Sequence, residues 1–281
     1  HQGPLPGGCV TGTLRRGWRA QRAVAGMQLK LAFHYRTRAF AQGIGALLLI
    51  GLQVALWSAV YAGGDGQVRA GGLTLHQTTV YAAAGTVWVL CLPGLALARQ
   101  LESKIRDGRI VSELLLPTGF LTQWFSAALG RTAGVTVLVG VPAAIAGAAV
   151  LYPFTLDPAH VGRLALTAAI AFVVLFDFSY LIGLSAFFVR RVEGLNEVRE
   201  ALLLLLGGSM MPVSLYPAAL RDAAVWTPFV HGFYTPLGTL VRDPFVDDRV
   251  VVLGACWAVL LSAAAALCTR AALRRLVIAG G

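Results

Sequence analysis

Residues 164–189 read LALTAAIAFVVLFDFSYLIGLSAFFV, and Asp177 is the only charge among them. About 20 helical residues, each rising 1.5 Å, cross a hydrocarbon core of ~30 Å, so this run is long enough to span a bilayer. Inside hydrocarbon every backbone N–H and C=O must be bonded within the segment, which makes the run a helix. The alternation that a membrane β-barrel strand needs is absent.

Five more runs share this character, near residues 40–62, 76–98, 132–154, 201–220 and 250–269. The third carries Pro142, where a kink is expected. The fifth is interrupted by Gly207, Gly208, Pro212 and Pro217. The expected fold is therefore all-α: a polytopic membrane protein with six transmembrane helices. Residues 1–39 form a basic N-terminal segment with an interfacial helix, and residues 40–281 form the six-helix transmembrane domain. On the N-terminal segment Arg15, Arg19, Arg22 and Lys30 fall on one side of a helix, and Val24, Met27, Leu31 and Tyr35 on the other. Leu29 and Phe33 break the pattern, so a plain basic tail is the alternative.

Apolar residues make up 57% of the chain and charged ones 13%, about half the usual share of a soluble domain. A net charge of +10 raises the question of nucleic acid. Most basic residues flank apolar runs, where anionic headgroups lie, so lipid and not nucleic acid is the expected partner. The preference for Arg over Lys, with abundant Ala and Gly, points to a bacterial genome rich in G and C. No cleavable signal peptide is expected, because the first apolar run begins near Phe40, and Met27 is a candidate start.

Lys and Arg in the connections set the orientation. The segments before run one, after runs two and four, and after run six hold 18 of the 23 basic residues; the alternating segments hold five. Both termini are thus expected in the cytoplasm of a bacterial inner membrane. Asp222, Asp243, Asp247 and Asp248 then lie outside.

Two connections exceed simple turns. Residues 100–116 combine an apolar side (Leu101, Ile105, Ile110, Leu114, Leu115) with Glu102, Lys104, Arg106 and Asp107, and Gly108 interrupts them. Residues 217–241 hold Trp226, Phe229, Phe233 and Tyr234, aromatic types that settle at a membrane interface. Cys91, Cys256 and Cys268 lie in apolar runs and Cys9 in the N-terminal segment, so no structural disulfide is expected. No metal-ligand spacing, phosphate-binding loop or nucleophile elbow is present, so no catalytic or metal residues are assigned.

Several segments together resemble the small six-helix permeases of the ABC-2-type ATP-binding cassette transporters. They are Phe33-His34-Tyr35-Arg36 with Leu56-Trp57-Ser58-Ala59-Val60-Tyr61; Ile105-Arg106-Asp107-Gly108-Arg109-Ile110 with Leu114-Leu115-Leu116-Pro117; and Gly207-Gly208-Ser209-Met210-Met211-Pro212 with Tyr216-Pro217, Leu220, Thr227-Pro228-Phe229 and Tyr234-Thr235-Pro236. The resemblance runs from about Met27 to the C-terminus, and the basic leader is a departure from it. It implies an exporter subunit without its own ATPase. A second permease subunit, identical or a similar paralogue, and two cytoplasmic nucleotide-binding subunits would complete it. ATP and Mg would sit in those partners, and this chain would bind no cofactor.

The resemblance also assigns ATPase contact to the loop after run two, which makes Leu101, Glu102, Ile105, Arg106, Asp107, Gly108 and Leu114 the coupling candidates. A surface helix that merely caps the spans is the other reading. The broken fifth run makes Gly207, Gly208, Met210, Met211, Pro212 and Tyr216 candidates for a gate or pathway, against a kinked helix packed through its glycines. Asp177 is a buried polar site that could mark an ion path or be held by hydrogen bonds. An ion-coupled secondary transporter using Asp177 is the alternative function. No internal inverted repeat supports it.

Overall fold

The computed structural model describes residues 21–28, 30, 34, 36–62, 71–92, 95–110, 113, 119–143, 145, 157–189, 192–209 and 211–279. These are helical almost throughout, with no β-strand among the described residues. In chain order they form α1 (Arg36–Ala62), α2 (Leu75–Cys91), α3 (Leu95–Arg106), α4 (Phe120–Val135), α5 (Pro158–Leu184), α6 (Glu193–Leu206), α7 (Ala218–Val225), α8 (Pro228–Gly232), α9 (Tyr234–Val241) and α10 (Asp248–Ala279).

Five stretches are long and apolar enough to cross a membrane: Ala41–Ala62, Leu75–Arg106, Phe120–Ala143, Pro158–Phe187 and Asp248–Arg274. The run at 201–220 is not a sixth continuous helix. α6 stops at Leu206 after 14 residues, about 21 Å and short of the ~30 Å core. Gly208 follows at φ 73°, a left-handed conformation that favours glycine. The chain then folds back through a short 3₁₀ turn and α7 to α9.

The third span is displaced from its expected place. It begins at Phe120, not near residue 132, so Arg131 lies inside the helix. The polar residues that masked this start are tied down on the inward face: Gln123 donates to the Glu113 carbonyl and Trp124 to the Glu113 carboxylate. Residues 146–154 of the expected run lie outside the described residues. Leu114, Met210, Cys9, and most of the amphipathic N-terminal segment do too; within that segment residues 21–28 are helical.

α5 is the mast of the fold. Asp157 caps its first turn, accepting from the His160 amide at 2.6 Å, and Pro158 occupies the first turn where a missing N–H does no harm. Ile170 and Val174 enter one apolar cluster with Tyr81, Val213, Tyr234 and Leu237. Phe172, Phe176, Tyr180 and Leu184 enter a second with Leu101, Ile110, Phe120 and Trp124. α10 packs along α5, where Tyr180 and Thr269 share a 2.9 Å hydrogen bond. α1 lies at the edge against α2 through Trp57 and Tyr61. Its Leu47 and Leu48 are 68% and 72% exposed, a surface suited to lipid and not to water.

Candidate functional site

The charged end of α3 is the first candidate region. Leu101 is fully buried and locks α3 to α5 at Gly183, where an added Cβ would lie 2.9 Å from the Leu101 Cβ and 3.0 Å from the Ala98 carbonyl oxygen. Ile110 is buried in the same cluster and Ile105 packs on it. Leu101, Ile105 and Ile110 thus pack into the chain's own bundle; Leu114 and Leu115 lie outside the described residues.

Among the described residues, what α3 and the turn after it offer outward is charge. Glu102 accepts from the Val192 amide at 3.4 Å and pairs with Arg106 at 3.4 Å. Arg99 pairs with Glu197 on α6 at 3.8 Å. Beyond Arg106 the helix ends in a turn, with Gly108 at φ 69°. Asp107 accepts from Ser103 at 3.2 Å and is bridged by Arg109. That hydrogen bond from Arg109, aided by Ser103, holds the Asp107 carboxyl below its usual range. Arg99, Glu102, Ser103, Arg106, Asp107 and Glu193 line one open groove.

The helix break is the second region. Gly207 and Gly208 are both buried, and so are Pro212 and Tyr216, while Met211 is 37% exposed. The freed backbone is satisfied by protein. The Tyr81 hydroxyl donates to the Gly208 carbonyl at 2.6 Å, and the Tyr234 amide donates to the Gly207 carbonyl at 3.1 Å. Trp88 donates through Nε1 to Gly232, at 3.0 Å. The Tyr234 hydroxyl donates to Asp243 at 2.7 Å, and Asp243 in turn accepts from the Phe245 amide at 2.9 Å. A hydrogen-bonded, aromatic frame thus holds the chain that follows the break. Tyr81 and Asp243 carry much of it, yet in the sequence the first is one residue of an apolar run and the second one acid of an outer loop.

Asp177 is 3% exposed and lies on α5 between the two clusters. It accepts a hydrogen bond from Ser262 on α10, at 2.5 Å. Two residues further along α5, Ser179 accepts from Arg199. Arg199 is itself only 3% exposed, not a free member of a loop, and it faces inward from α6 beside the buried Asn196. Leu195, Val198, Leu204 and Leu205 turn outward from the same helix, 44% to 58% exposed. α6 thus turns these polar residues into the chain and its leucines outward.

The coupling candidates and the break candidates stand in different apolar clusters, with Leu101 in one and Tyr216 in the other. α5 is the rigid element that touches both. Cys91, Cys256 and Cys268 are free thiols. Among the described residues no three His, Cys, Asp or Glu side chains converge as a metal site would need.

The family described as ABC-2 family transporter protein matches residues 47–280. The match begins within the first span and takes in the other four and both candidate regions. No curated protein and no solved structure gave a significant match. The chain belongs to the ABC-2 transporter family, a multi-pass membrane component of transport and not itself a catalyst.

Proposed function

We propose that this chain is the permease subunit of an ATP-driven exporter and forms half of a substrate path. Family membership supplies the class. The observation that carries the reading further is the open charged groove at the end of α3, backed by the close contact between Leu101 and Gly183. A partner that pushes on Arg106 and Asp107 moves a helix locked to α5, and α5 packs against the re-entrant segment through α8 and α9. Force applied at the groove therefore has a rigid route to the break at Gly207 and Gly208. The partner is a cytoplasmic nucleotide-binding ATPase subunit that carries ATP and Mg. A second permease subunit, a copy or a similar paralogue, supplies the other half of the path.

Charge, and not buried apolar surface, dominates what α3 presents. Charged rims steer and register partners more than they bind them. Leu101, Ile105 and Ile110 act inside the chain, as the lever's attachment, while Glu102, Arg106, Asp107 and the Gly108 turn face the ATPase. The test is co-purification of the ATPase with the parent chain and with an Arg106→Glu, Asp107→Arg double variant. Loss of the ATPase from a correctly folded variant supports the assignment. Full retention, with unchanged hydrolysis in vesicles, overturns it.

A further inference from the structure

Residues 21–28 are helical and lie ahead of residues 47–280, the part of the chain that matches its family. This short helix sits directly on α4. At Gly130 an added Cβ would be 2.7 Å from the Ala25 Cα and 2.8 Å from the Ala25 carbonyl carbon, so only glycine lets the two backbones come this close. Close approach through small residues is how helices associate where lipid tails are as apolar as the side chains. Among the described residues, no side chain from Ala23 to Gln28 takes part in a hydrogen bond or ion pair; Arg22, at the start of the helix, does. Fit against Gly130, and not a polar network, is what seats residues 23–28.

Beneath the helix is a cavity of about 200 Å³, walled also by α2, α3 and α4. Val24 and Gln28 line it from above, and Leu90, Trp124 and Val135 from the bundle. Met27 does not line it and is 63% exposed, although the sequence pattern sets it on one side with Val24. The cavity lies where α2 gives way to α3. α2 ends at Cys91, Leu92 turns extended at ψ 156°, and Cys91, Leu92 and Leu97 all face the same space. Cys91 is only 8% exposed.

We propose that residues 21–28 are a lid: seated on Gly130 they close the cavity at the junction of α2 and α3, and they lift as a unit to open it. A segment held by shape at one glycine separates from its seat without stranding a hydrogen-bonding group, which a strap tied by polar side chains could not do. The lid stands outside the family-matched region, so it is a device added to the transport fold and independent of how that fold is driven.

Cys91 reports on the lid. The full chain is placed in nanodiscs, and alkylation of its cysteines by N-ethylmaleimide is followed by peptide mass spectrometry. Gly130→Val keeps the lid from seating and is expected to speed Cys91 alkylation several-fold, while the exposed Cys256 and Cys268 react at the parent rate. Ala25→Pro breaks the lid helix and changes no residue of the bundle, so it serves where Gly130→Val fails to fold, and the same rise is expected. With the four cysteines replaced by serine, spin labels at the exposed Met27 and Leu129 measure how far the lid stands from α4. The parent is expected to show a main short distance and a minor longer one, and the longer one should dominate in either variant. A single short distance in all the chains, or Cys91 alkylation as slow in Ala25→Pro as in the parent, overturns the proposal and makes residues 21–28 a fixed part of the wall. The readout uses neither ATPase nor sidedness, so its failure leaves the exporter reading standing.

Discussion

The hydroxyl of Tyr81 donates to the carbonyl of Gly208, 2.6 Å away in space and 127 positions away in sequence. That bond satisfies a buried carbonyl just past the end of a broken helix, where the freed backbone is surrounded by protein. Tyr81→Phe removes the donor and strands a buried carbonyl, a loss of about 1–2 kcal/mol. Gly208→Ala is expected to do more damage. Its φ of 73° strains any other residue, and the new Cβ would meet Val213 Cγ2 at 2.8 Å and Tyr234 Cβ at 3.0 Å. Thermal unfolding in detergent should rank parent, Tyr81→Phe and Gly208→Ala in falling order. A Gly208→Ala variant as stable as the parent would mean that the break is loose and not framed.

Topology is tested by labelling single cysteines with a reagent that does not cross the membrane. Probes at Gly66 and Asp247 are expected to react from outside. Probes at Arg106 and Glu197 are expected to react only after the membrane is opened. Reaction of the Arg106 probe in intact cells would invert the orientation and remove the ATPase contact with it.

Asp177→Asn should leave ATP-driven transport largely intact. The amide keeps the size of the carboxylate, and its oxygen can still accept from Ser262. Asp177→Leu leaves the Ser262 hydroxyl without this acceptor and should reduce folded yield instead. If Asp177→Asn folds normally, yet loses transport together with its pH dependence, the ion-coupled reading takes precedence.

Gly183 is where the lever is fastened. In Gly183→Val even the first carbon of the side chain would be 2.9 Å from the Leu101 Cβ, so α3 must tilt off α5. The expected outcome is a chain that inserts but recovers less ATPase on purification and shows weaker transport-stimulated hydrolysis. Unchanged coupling in this variant would place the force route elsewhere than between Leu101 and α5. Ile105→Asp, by contrast, is expected to lower stability, because Ile105 packs on the internal cluster.

Local patterns carried much of the fold into view. An uncharged run of about 20 residues can only be a helix in hydrocarbon, and that physics needs no neighbours. The stop after Leu206 was legible for the same reason, since Gly207, Gly208 and Pro212 act on their own stretch of backbone. The start of α4 was not. Gln123, Trp124 and Arg131 look like the end of a loop until Glu113, ten and eleven positions from the first two, supplies the acceptors that bring Gln123 and Trp124 inside. Arg199 misled in the same manner: its charge reads as a connection, and only the approach of Ser179 on α5 explains its burial.

The sequence by itself determined that the chain lives in a membrane, that it crosses as several apolar helices, where a helix must break and which family it joins. Each of these follows from residue type and order along the chain. The tertiary structure alone decided what covers each face. It turned Leu101 of α3 onto Gly183, left charge as what that helix presents, and bound the break at Gly208 to Tyr81. Such pairings depend on which helices come to lie side by side, and the hydrocarbon that makes every span helical does not distinguish one apolar neighbour from another.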